Sequence, residues 1–432
     1  MWHSAPVTFR CEAPSSQAMS MPLYDVAIAG AGLTGRLAAL ALAHHGLSVA
    51  LIDPVALETP KPDSRTTAIA YANARILKRL GLWPGLSAKA GAITDILVTN
   101  GRPASRFRRG GAEGSALHFP APLLPGDRLD PTAPALGYIL TNTDLLAVFG
   151  AALQATAGVT FFKGAIEDVT EGPARVHVAV SGGEAVEAAM LLVCDGKRST
   201  LRAKLGFRTL SHAYDQEALT FCLSHSTPHQ GVAHEMFYPD GPFAILPMAG
   251  DEVSIVWTEK GSRARAYHAL DEAAFLRAVT DRIGPLLGDI AISRPAVRFP
   301  LSFSYADQPV KGRVVLMGDA YRGVHPIAGQ GFNLAMKDIA VLADVLRDAE
   351  QVGLDPGSPQ SLDAYARWRR FDSAALAFGT DALTRLFSND IAPIRWARSF
   401  GLGRVAQMDG LRLFFMREAG ADSGELPSLM AA

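Results

Sequence analysis

The chain has 432 residues, of which 49% are hydrophobic and 19% charged, and its formal net charge is −1. This composition predicts a globular protein with a large core, and the near-zero charge gives no indication of a nucleic-acid partner. The three cysteines form no CxxC pair, which argues against a disulfide framework or a metal site and favours a cytoplasmic location. No run of about 18 apolar residues predicts a membrane span.

The first predicted elements form a strand–helix–strand unit. Residues 1–21 lack the apolar segment of a secretory signal, and their irregular composition predicts a disordered extension. After them, Tyr24–Ala29 predicts a buried strand, Leu33–His44 a helix and Leu47–Ile52 a second strand. This order is typical of the βαβ unit of nucleotide-binding folds.

A GxGxxG motif, Gly30 to Gly35, joins the first strand to the first helix. In this motif Gly30 permits the tight turn, Gly32 lets the backbone approach a pyrophosphate, and Gly35 lets the helix pack on the strand. Asp53 ends the second strand, where an acid would accept ribose hydroxyls. The unit therefore predicts dinucleotide binding, by NAD or FAD, with a glycine-rich packing contact as the alternative.

The remaining elements alternate between helical and strand-like patterns. We predict helices at 67–80, 144–155, 271–283, 333–349, 361–387 and 391–417, and strands at 160–162, 174–180, 185–193, 218–223, 233–238, 243–247 and 253–258. The last four strands form a sheet inserted between the nucleotide-binding elements. We find no internal repeat.

A second glycine-rich segment, Gly318–Asn333, follows a predicted strand and opens a helix nearly 300 residues after the first. Asp319 would hold a ribityl hydroxyl, and backbone N–H groups at the helix start would favour negative charge, as on a reduced flavin. Two such turns fit the two ends of one long cofactor, and an ordinary capped helix is the alternative. His325 is a candidate general base, although a structural role before Pro326 is favoured.

A third turn, Asp195-Gly196, precedes Ser199 and Arg202. Alone it is weak, because Asp-Gly is a common turn and Ser199 could simply cap a helix. Together the three motifs resemble those of the class A flavoprotein monooxygenases with the para-hydroxybenzoate hydroxylase fold. More narrowly, the chain resembles the ubiquinone-biosynthesis hydroxylases. The resemblance extends over residues 22–417 and is most specific in 325–331, His-Pro-Ile-Ala-Gly-Gln-Gly.

The resemblance implies an α/β fold in which a Rossmann-like FAD-binding domain is interleaved with a β-sheet substrate domain and followed by a helical C-terminal segment. We assign residues 22–93, 123–206 and 303–388 to the FAD-binding domain. Residues 94–122 and 207–302 are assigned to the substrate domain, and residues 389–427 to the C-terminal segment.

The implied activity is hydroxylation of an aromatic ring. In the family NAD(P)H reduces FAD, O2 adds to give a C4a-hydroperoxide, and its distal oxygen passes to the ring without a metal. The residues implied in FAD binding are Gly30, Gly32, Gly35, Asp53, Arg65, Asp195, Asp319, Gly329, Gly331 and Asn333. The candidate catalytic residues are His325, Pro326, Gln330 and Arg322.

The chain departs from the family at Tyr321-Arg322, where Ala-Ala or Ala-His is common. An arginine there could contact substrate, NAD(P)H or the flavin pyrophosphate, or point to solvent.

The implied substrate is a polyprenylated phenol of ubiquinone biosynthesis. The alternatives are a small soluble aromatic compound, or a non-catalytic subunit of a biosynthetic complex. The basic, aromatic pattern of residues 391–417 predicts packing on the chain itself, contact with the inner-membrane surface, or an oligomer interface.

Overall fold

The computed structural model describes residues 22–58, 63, 65–99, 101, 107–108, 111–112, 117–125, 128–129, 134–324, 330–370 and 408–431. The strands are β1 (Leu23–Ala29), β2 (Val49–Asp53), β3 (Thr66–Ala70), β4 (Gly91–Ile93), β5 (Asp95–Thr99), β6 (Phe107–Arg108), β7 (Gly111–Ala112), β8 (Leu117–Pro120), β9 (Gly137–Thr141), β10 (Val159–Lys163), β11 (Ile166–Glu171), β12 (Val176–Val180), β13 (Glu184–Val193), β14 (Thr209–His225), β15 (Val232–Tyr238), β16 (Gly241–Pro247), β17 (Glu252–Lys260), β18 (Ile290–Ala306), β19 (Val310–Lys311), β20 (Val314–Leu316) and β21 (Arg322–Gly323).

The helices alternate with these strands. They are α1 (Leu33–His44), α2 (Tyr71–Arg79), α3 (Asn142–Ala155), α4 (Thr200–Lys204), α5 (Gly261–His268), α6 (Glu272–Ile283), α7 (Gln330–Gln351), α8 (359 to at least 370) and α9 (Asp409–Ala419). None of the helices in these described ranges is long and apolar enough to cross a membrane.

The first sheet is the nucleotide-binding type predicted from the sequence. Strands β10, β2, β1, β13 and β20 lie parallel in that order, and β12 and β11 add an antiparallel extension. Its central strands are almost wholly apolar because helices or other layers cover both faces of a parallel sheet. Helices α1, α3 and α7 pack into the same hydrophobic core on one of these faces.

The second sheet has the order β21-β18-β14-β17-β16-β15-β5-β8. One face packs on α5 and α6, where Phe221 and Trp257 contact Phe275 with ring centroids 5.0 and 6.0 Å apart. The opposite face is turned toward a large cavity. Alternation along each strand therefore assigns one set of side chains to the core and the other to the cavity.

A small third sheet, β3-β9-β4, corrects one of the sequence predictions. Residues 67–80 were expected to be one helix, but Thr66–Ala70 is a strand paired with β9, and α2 begins only at Tyr71. Tertiary pairing overrides the local helical pattern here. Strand β11 and the 17-residue strand β18 were not predicted, although the predicted strands at 218–223, 233–238, 243–247 and 253–258 are all present.

The C-terminal residues pack on the body of this chain. The Tyr71 hydroxyl donates to Asp422 Oδ2 at 2.8 Å, and Ser428 N donates to Asp344 on α7 at 2.6 Å. The predicted helices at 361–387 and 391–417 are described only as α8 and α9, because residues 371–407 lie outside the described ranges. The predicted extension at 1–21 lies outside them as well.

Candidate active site

A cavity of 1550 Å³ lies between the nucleotide-binding elements and the second sheet. It exceeds the roughly 300–1,000 Å³ of a pocket for one drug-sized ligand, so it has room for part of a cofactor and a substrate together. Two of the three motifs contribute to its lining, the Asp195-Gly196 turn through Asp195 and the Gly318–Asn333 segment through Asp319 and Asn333, and Arg65 lines it too. The motifs separated in sequence thus meet at one site.

The glycine-rich turn after β1 has the steric features that a dinucleotide requires. A Cβ on Gly35 would lie 1.8 Å from the Gly30 carbonyl oxygen, so this position needs glycine for packing of α1 on the turn. A Cβ on Gly32, in contrast, would point into open space. No side chain caps α1, which leaves its first N–H groups for an anion.

Asp53 and Arg36 hold this turn in shape. Asp53 Oδ2 accepts from Ala31 N at 2.6 Å and Oδ1 accepts from Val55 N at 2.7 Å. The buried Arg36 Nε donates to the Ala31 carbonyl at 2.8 Å. A carboxylate has about four lone-pair sites, so Asp53 keeps capacity for a ribose hydroxyl.

The Gly318-Asp319 turn approaches the first motif directly. A Cβ on Gly318, whose φ is +59°, would lie 2.9 Å from Thr34 Oγ1 on α1. Asp319 reaches the cavity, and burial raises the pKa of its carboxyl, an effect opposed by Lys197 and Arg65. The side chain is placed to accept a hydroxyl of a ligand entering between the two turns.

Two cations belong to the same part of the lining. Lys197 Nζ donates to the Ser302 carbonyl at 2.8 Å, and burial lowers the pKa of this lysine. The Arg65 guanidinium lies 5.3 Å from the centre of the Phe299 ring and donates to Asp63. The Asp63 hydrogen bond raises the pKa of Arg65, which keeps this cation charged at the cavity edge.

The Asp195-Gly196 turn combines a ligand-facing carboxyl with a capped helix. Ser199 Oγ accepts from Arg202 N at 3.0 Å, so the capping role considered for this serine is confirmed. Arg202 also donates to the Ala320 carbonyl at 2.8 Å, which ties this turn to the Gly318-Asp319 turn. Asp195 lines the cavity, and burial raises the pKa of its carboxyl.

Helix α7 begins at the edge of the cavity. The Asn333 side chain accepts from Ala70 N and Asn73 Nδ2, both at 2.9 Å, and donates to the Ala68 carbonyl at 2.8 Å. These hydrogen bonds of Asn333 fix the start of α7 against β3 and α2. A Cβ on Gly331 would lie 3.8 Å from Asp319 Oδ1, and so the start of the helix lies near the Gly-Asp turn. The candidates His325, Pro326 and Gly329 lie outside the described residues, as does the Gln330 side chain.

The structure places Arg322 behind the cavity lining rather than in it. Its Nη2 donates to Asp338 Oδ2 at 2.6 Å, and Arg369 Nε donates to Asp338 Oδ1 at 2.6 Å. Both guanidinium groups and the carboxylate are fully buried. Tyr321 is buried beside them, with its hydroxyl 3.0 Å from the Tyr305 hydroxyl. This position favours a structural role for the departure from the family pattern over contact with a substrate.

The second sheet forms the opposite wall of the cavity. Its inward residues include Ile96, Phe119, Ala233, Phe237, Leu246 and Phe299. Glu235 on β15 is the acidic side chain on this wall, and no lysine or arginine lies among the described residues of this sheet that line the cavity. Sequence reasoning missed Glu235, because a single acid in a strand gives no local signal.

The residues of the cofactor side fit FAD. Gly32 leaves free space at an uncapped helix start, where a pyrophosphate can bind the backbone, and Asp195 and Asp319 present carboxyls to ligand hydroxyls. No cluster of three or more metal-ligating side chains occurs within the described ranges.

Sequence comparisons agree with this geometry. The profile of the family described as FAD binding domain matches residues 23–377. Ubiquinone hydroxylase UbiL of Rhodospirillum rubrum is 39% identical over 91% of this chain and 89% of its own length. The 3-demethoxyubiquinol 3-hydroxylase of Escherichia coli is 29% identical over 88% of this chain and 93% of its own.

Solved structures share the fold. The p-nitrophenol 4-monooxygenase PnpA of Pseudomonas putida superposes with a TM-score of 0.75 at 18% identity, covering 94% of this chain and 100% of that one. HpxO of Klebsiella pneumoniae, complexed with FAD and uric acid, has a TM-score of 0.71 at 19% identity, covering 92% and 97%. The chain therefore belongs to the class A FAD-dependent aromatic monooxygenases, and within them to the ubiquinone-biosynthesis hydroxylase family.

Proposed function

We propose that this enzyme hydroxylates the aromatic ring of a polyprenylated phenol in ubiquinone biosynthesis. The observation that carries the substrate class is the cavity wall formed by the second sheet, which is largely apolar and presents no lysine or arginine among its described lining residues. Such a wall favours a neutral ring with a hydrocarbon chain, since burial of apolar surface contributes about 25 cal/mol per Å². The names of the most similar relatives support the same substrate class.

The residues of the cofactor side have binding and positioning roles in this reaction. Bound FAD, reduced by NAD(P)H, supplies the chemistry that activates dioxygen. The N–H groups at the start of α1 bind the pyrophosphate, and Asp53, Asp195 and Asp319 accept hydroxyl groups of the cofactor. The N-terminal end of α7 favours negative charge beside it. The apolar wall excludes water from the ring that reacts.

The alternative substrate, a small soluble aromatic acid, is less compatible with this wall. A buried carboxylate is best stabilised by a cationic partner, whereas this sheet presents no lysine or arginine among its described lining residues and does present Glu235, whose ionised form repels an anion. The cations of the lining, Arg65, Lys197, Arg198 and Arg202, all belong to the cofactor side.

The test compares two substrates on purified, FAD-loaded protein. We expect NAD(P)H-dependent formation of a hydroxylated product from a short-chain prenylphenol, and no product from 4-hydroxybenzoate. Preference for the benzoate would overturn the proposal. The Asp319→Ala variant, with folding checked by circular dichroism, should lose FAD and product formation together, whereas unchanged quinone synthesis in cells carrying it would favour a non-catalytic subunit.

We further propose that the protein contacts a membrane surface at α9. Phe414 is 55% and Phe415 is 43% exposed, and Met408, which directly precedes α9, is 55% exposed. Phe415 and Met416 also belong to the cavity lining, so this apolar edge lies beside the cavity where a prenyl chain would enter. Exposed aromatic side chains on an amphipathic helix are typical of contacts with a lipid interface.

Sedimentation with phospholipid vesicles tests this contact. We expect the Phe414→Ser/Phe415→Ser variant to bind vesicles less tightly than the wild type. The matched control is Val352→Ser/Leu354→Ser, which removes two exposed apolar side chains at the C-terminal end of α7. Equal vesicle binding by all three proteins would contradict the proposal, and a change in oligomeric state instead would indicate a protein interface.

A further inference from the structure

Glu235 occupies the middle of the apolar wall. The strand register places it between Val98 on β5 and Ala244 on β16. The same row continues across the sheet to Leu117, Val256 and Thr220. All six of these residues line the cavity. Apart from the carboxyl of Glu235 and the hydroxyl of Thr220, the side chains of these six residues are hydrocarbon.

No hydrogen bond or ion pair links the Glu235 side chain to another residue within the described ranges. Its neighbours on β5 and β16 carry no titratable group. His234, next to it on β15, also belongs to the cavity lining, and burial lowers the pKa of this histidine to about 4, so it is neutral at the working pH. The charged groups facing it across the cavity are Arg65, Asp195, Lys197, Arg198, Arg202 and Asp319. Placing a carboxylate in an apolar wall without a partner lowers the stability of the folded protein. The presence of Glu235 is therefore not explained by packing, which favours a role toward a ligand.

Buried hydroxyl groups on this wall also lack a partner in the described structure. Besides Glu235, the hydroxyl oxygens of Thr220 and Thr258 are buried without a hydrogen bond. Both threonines line the cavity, Thr220 in the row of Glu235 and Thr258 in the next row, opposite Ala218 on β14. A ligand with one polar group on an apolar body could form a hydrogen bond with these groups and pack on the apolar side chains around them. A prenylated ring with a hydroxyl group is such a ligand.

We propose that Glu235 is a catalytic residue that accepts the proton of the substrate's ring hydroxyl during hydroxylation. This role rests on the proposed phenolic substrate. The O–H bond of the ring hydroxyl breaks, an O–H bond forms at a Glu235 carboxylate oxygen, and the electron pair left on the ring oxygen makes the ring a stronger nucleophile toward the transferred oxygen. When the hydroxylated carbon loses its hydrogen to water, the ring regains aromaticity and Glu235 returns its proton to the ring oxygen.

The environment of Glu235 suits this role. Burial raises the pKa of Glu235 to about 7, so the group exchanges protons near neutral pH. A general base is most effective when its pKa lies near the working pH. A carboxyl at its ordinary pKa of about 4.3 would be fully ionised there but a weaker base toward a phenol.

The test uses Glu235→Gln, which keeps the size of the side chain and removes its basicity. The matched control is Glu272→Gln at the exposed start of α6 in the same part of the molecule. Two ligands are compared, a prenylphenol and its O-methyl ether, which lacks the transferred proton. The measurements are ligand dissociation constants from protein fluorescence and single-turnover hydroxylation rates between pH 5.5 and 8.5.

We expect the wild type and Glu272→Gln to bind the phenol roughly 10-fold more tightly than the ether, because a charge-assisted hydrogen bond is lost with the ether. Glu235→Gln should bind both ligands alike. Its hydroxylation rate for the phenol should fall by about 100-fold, and the rise of the rate through pH 7 should disappear.

The outcomes separate this role from the proposed substrate. If the wild type hydroxylates the phenol and Glu235→Gln does so within threefold with the same pH profile, the role of Glu235 is wrong and the substrate stands. If the wild type neither binds nor hydroxylates the phenol, the proposed substrate is wrong and the role falls with it. Retained FAD and an unchanged circular dichroism spectrum in Glu235→Gln exclude misfolding as the cause of a lower rate.

Discussion

Two carboxyl groups in the interior of this protein have opposite surroundings. Asp338 on α7 accepts hydrogen bonds from two buried guanidinium groups, those of Arg322 and Arg369. Glu235 on β15 lies in an apolar wall and has no partner within the described residues. The first carboxyl is held by the fold itself, whereas the second remains available to a ligand.

The difference shows how pairing separates a structural charge from a functional one. A buried ion pair cannot lose one member without leaving the other uncompensated, so Asp338 and its arginines are constrained together. An unpaired carboxyl instead costs stability in the absence of ligand, and this cost is offset only when a substrate arrives. Both groups lie within one molecule, so variants of each can be compared directly.

The largest effect should come from Asp338→Asn. This change leaves two buried guanidinium groups without their carboxylate, and we expect it to lower the free energy of unfolding by about 3–5 kcal/mol. Urea denaturation followed by circular dichroism gives the value. Asp348→Asn, at a largely exposed position on the same helix, is the control and should change it by less than about 0.5 kcal/mol. Similar losses from Asp338→Asn and Asp348→Asn would show that the buried pairing of Asp338 contributes no more to stability than an exposed carboxylate does.

Arg322→Met should have the next largest effect. Asp338 keeps Arg369 as a partner in this variant, so we expect a loss of about 2 kcal/mol, smaller than that for Asp338→Asn. Affinity for FAD, measured by flavin fluorescence, should change less than threefold, because Arg322 lies behind the cavity lining. Loss of FAD from a variant that remains folded would instead indicate that Arg322 contributes to FAD binding.

The smallest effect, and of opposite sign, is expected for Glu235→Gln without substrate. The pKa of Glu235 is higher in the folded than in the unfolded chain, so its contribution to stability is present at low pH and is lost as the pH rises through about 7. At pH 8 the variant should therefore be more stable than the wild type by roughly 1 kcal/mol. At pH 5 the two should unfold alike. A variant that is less stable at pH 8 would show that Glu235 has a partner in the folded protein.

Much of the cofactor side could be predicted from the sequence. Gly30, Gly35 and Asp53 belong to one strand–turn–helix–strand unit whose residues are near neighbours along the chain, so local pattern is sufficient to place them. The segment 66–80 shows the limit of this approach. Its apolar spacing resembles a helix throughout, yet pairing with β9, about 70 residues later, makes Thr66–Ala70 a strand.

The substrate side was less accessible to sequence reasoning. The strands of the inserted sheet were predicted, but the row containing Glu235 is assembled from β5, β8, β14, β15, β16 and β17, and no pattern in one strand reveals the register between them. The role of Arg322 was open for the same reason, since its partner Asp338 lies 16 residues away on α7, and Arg369, the second arginine bound to Asp338, lies on α8.

The sequence by itself determined the nucleotide-binding unit, the presence of a second glycine-rich turn nearly 300 residues later, and the family of the chain. These features depend on backbone conformations that short motifs specify. Only the tertiary structure decided which buried charges are paired and which face the cavity. Burial and pairing are properties of side chains that meet from distant parts of the chain, and these set whether a carboxyl such as Asp338 stabilises the fold or one such as Glu235 is left to act on a ligand.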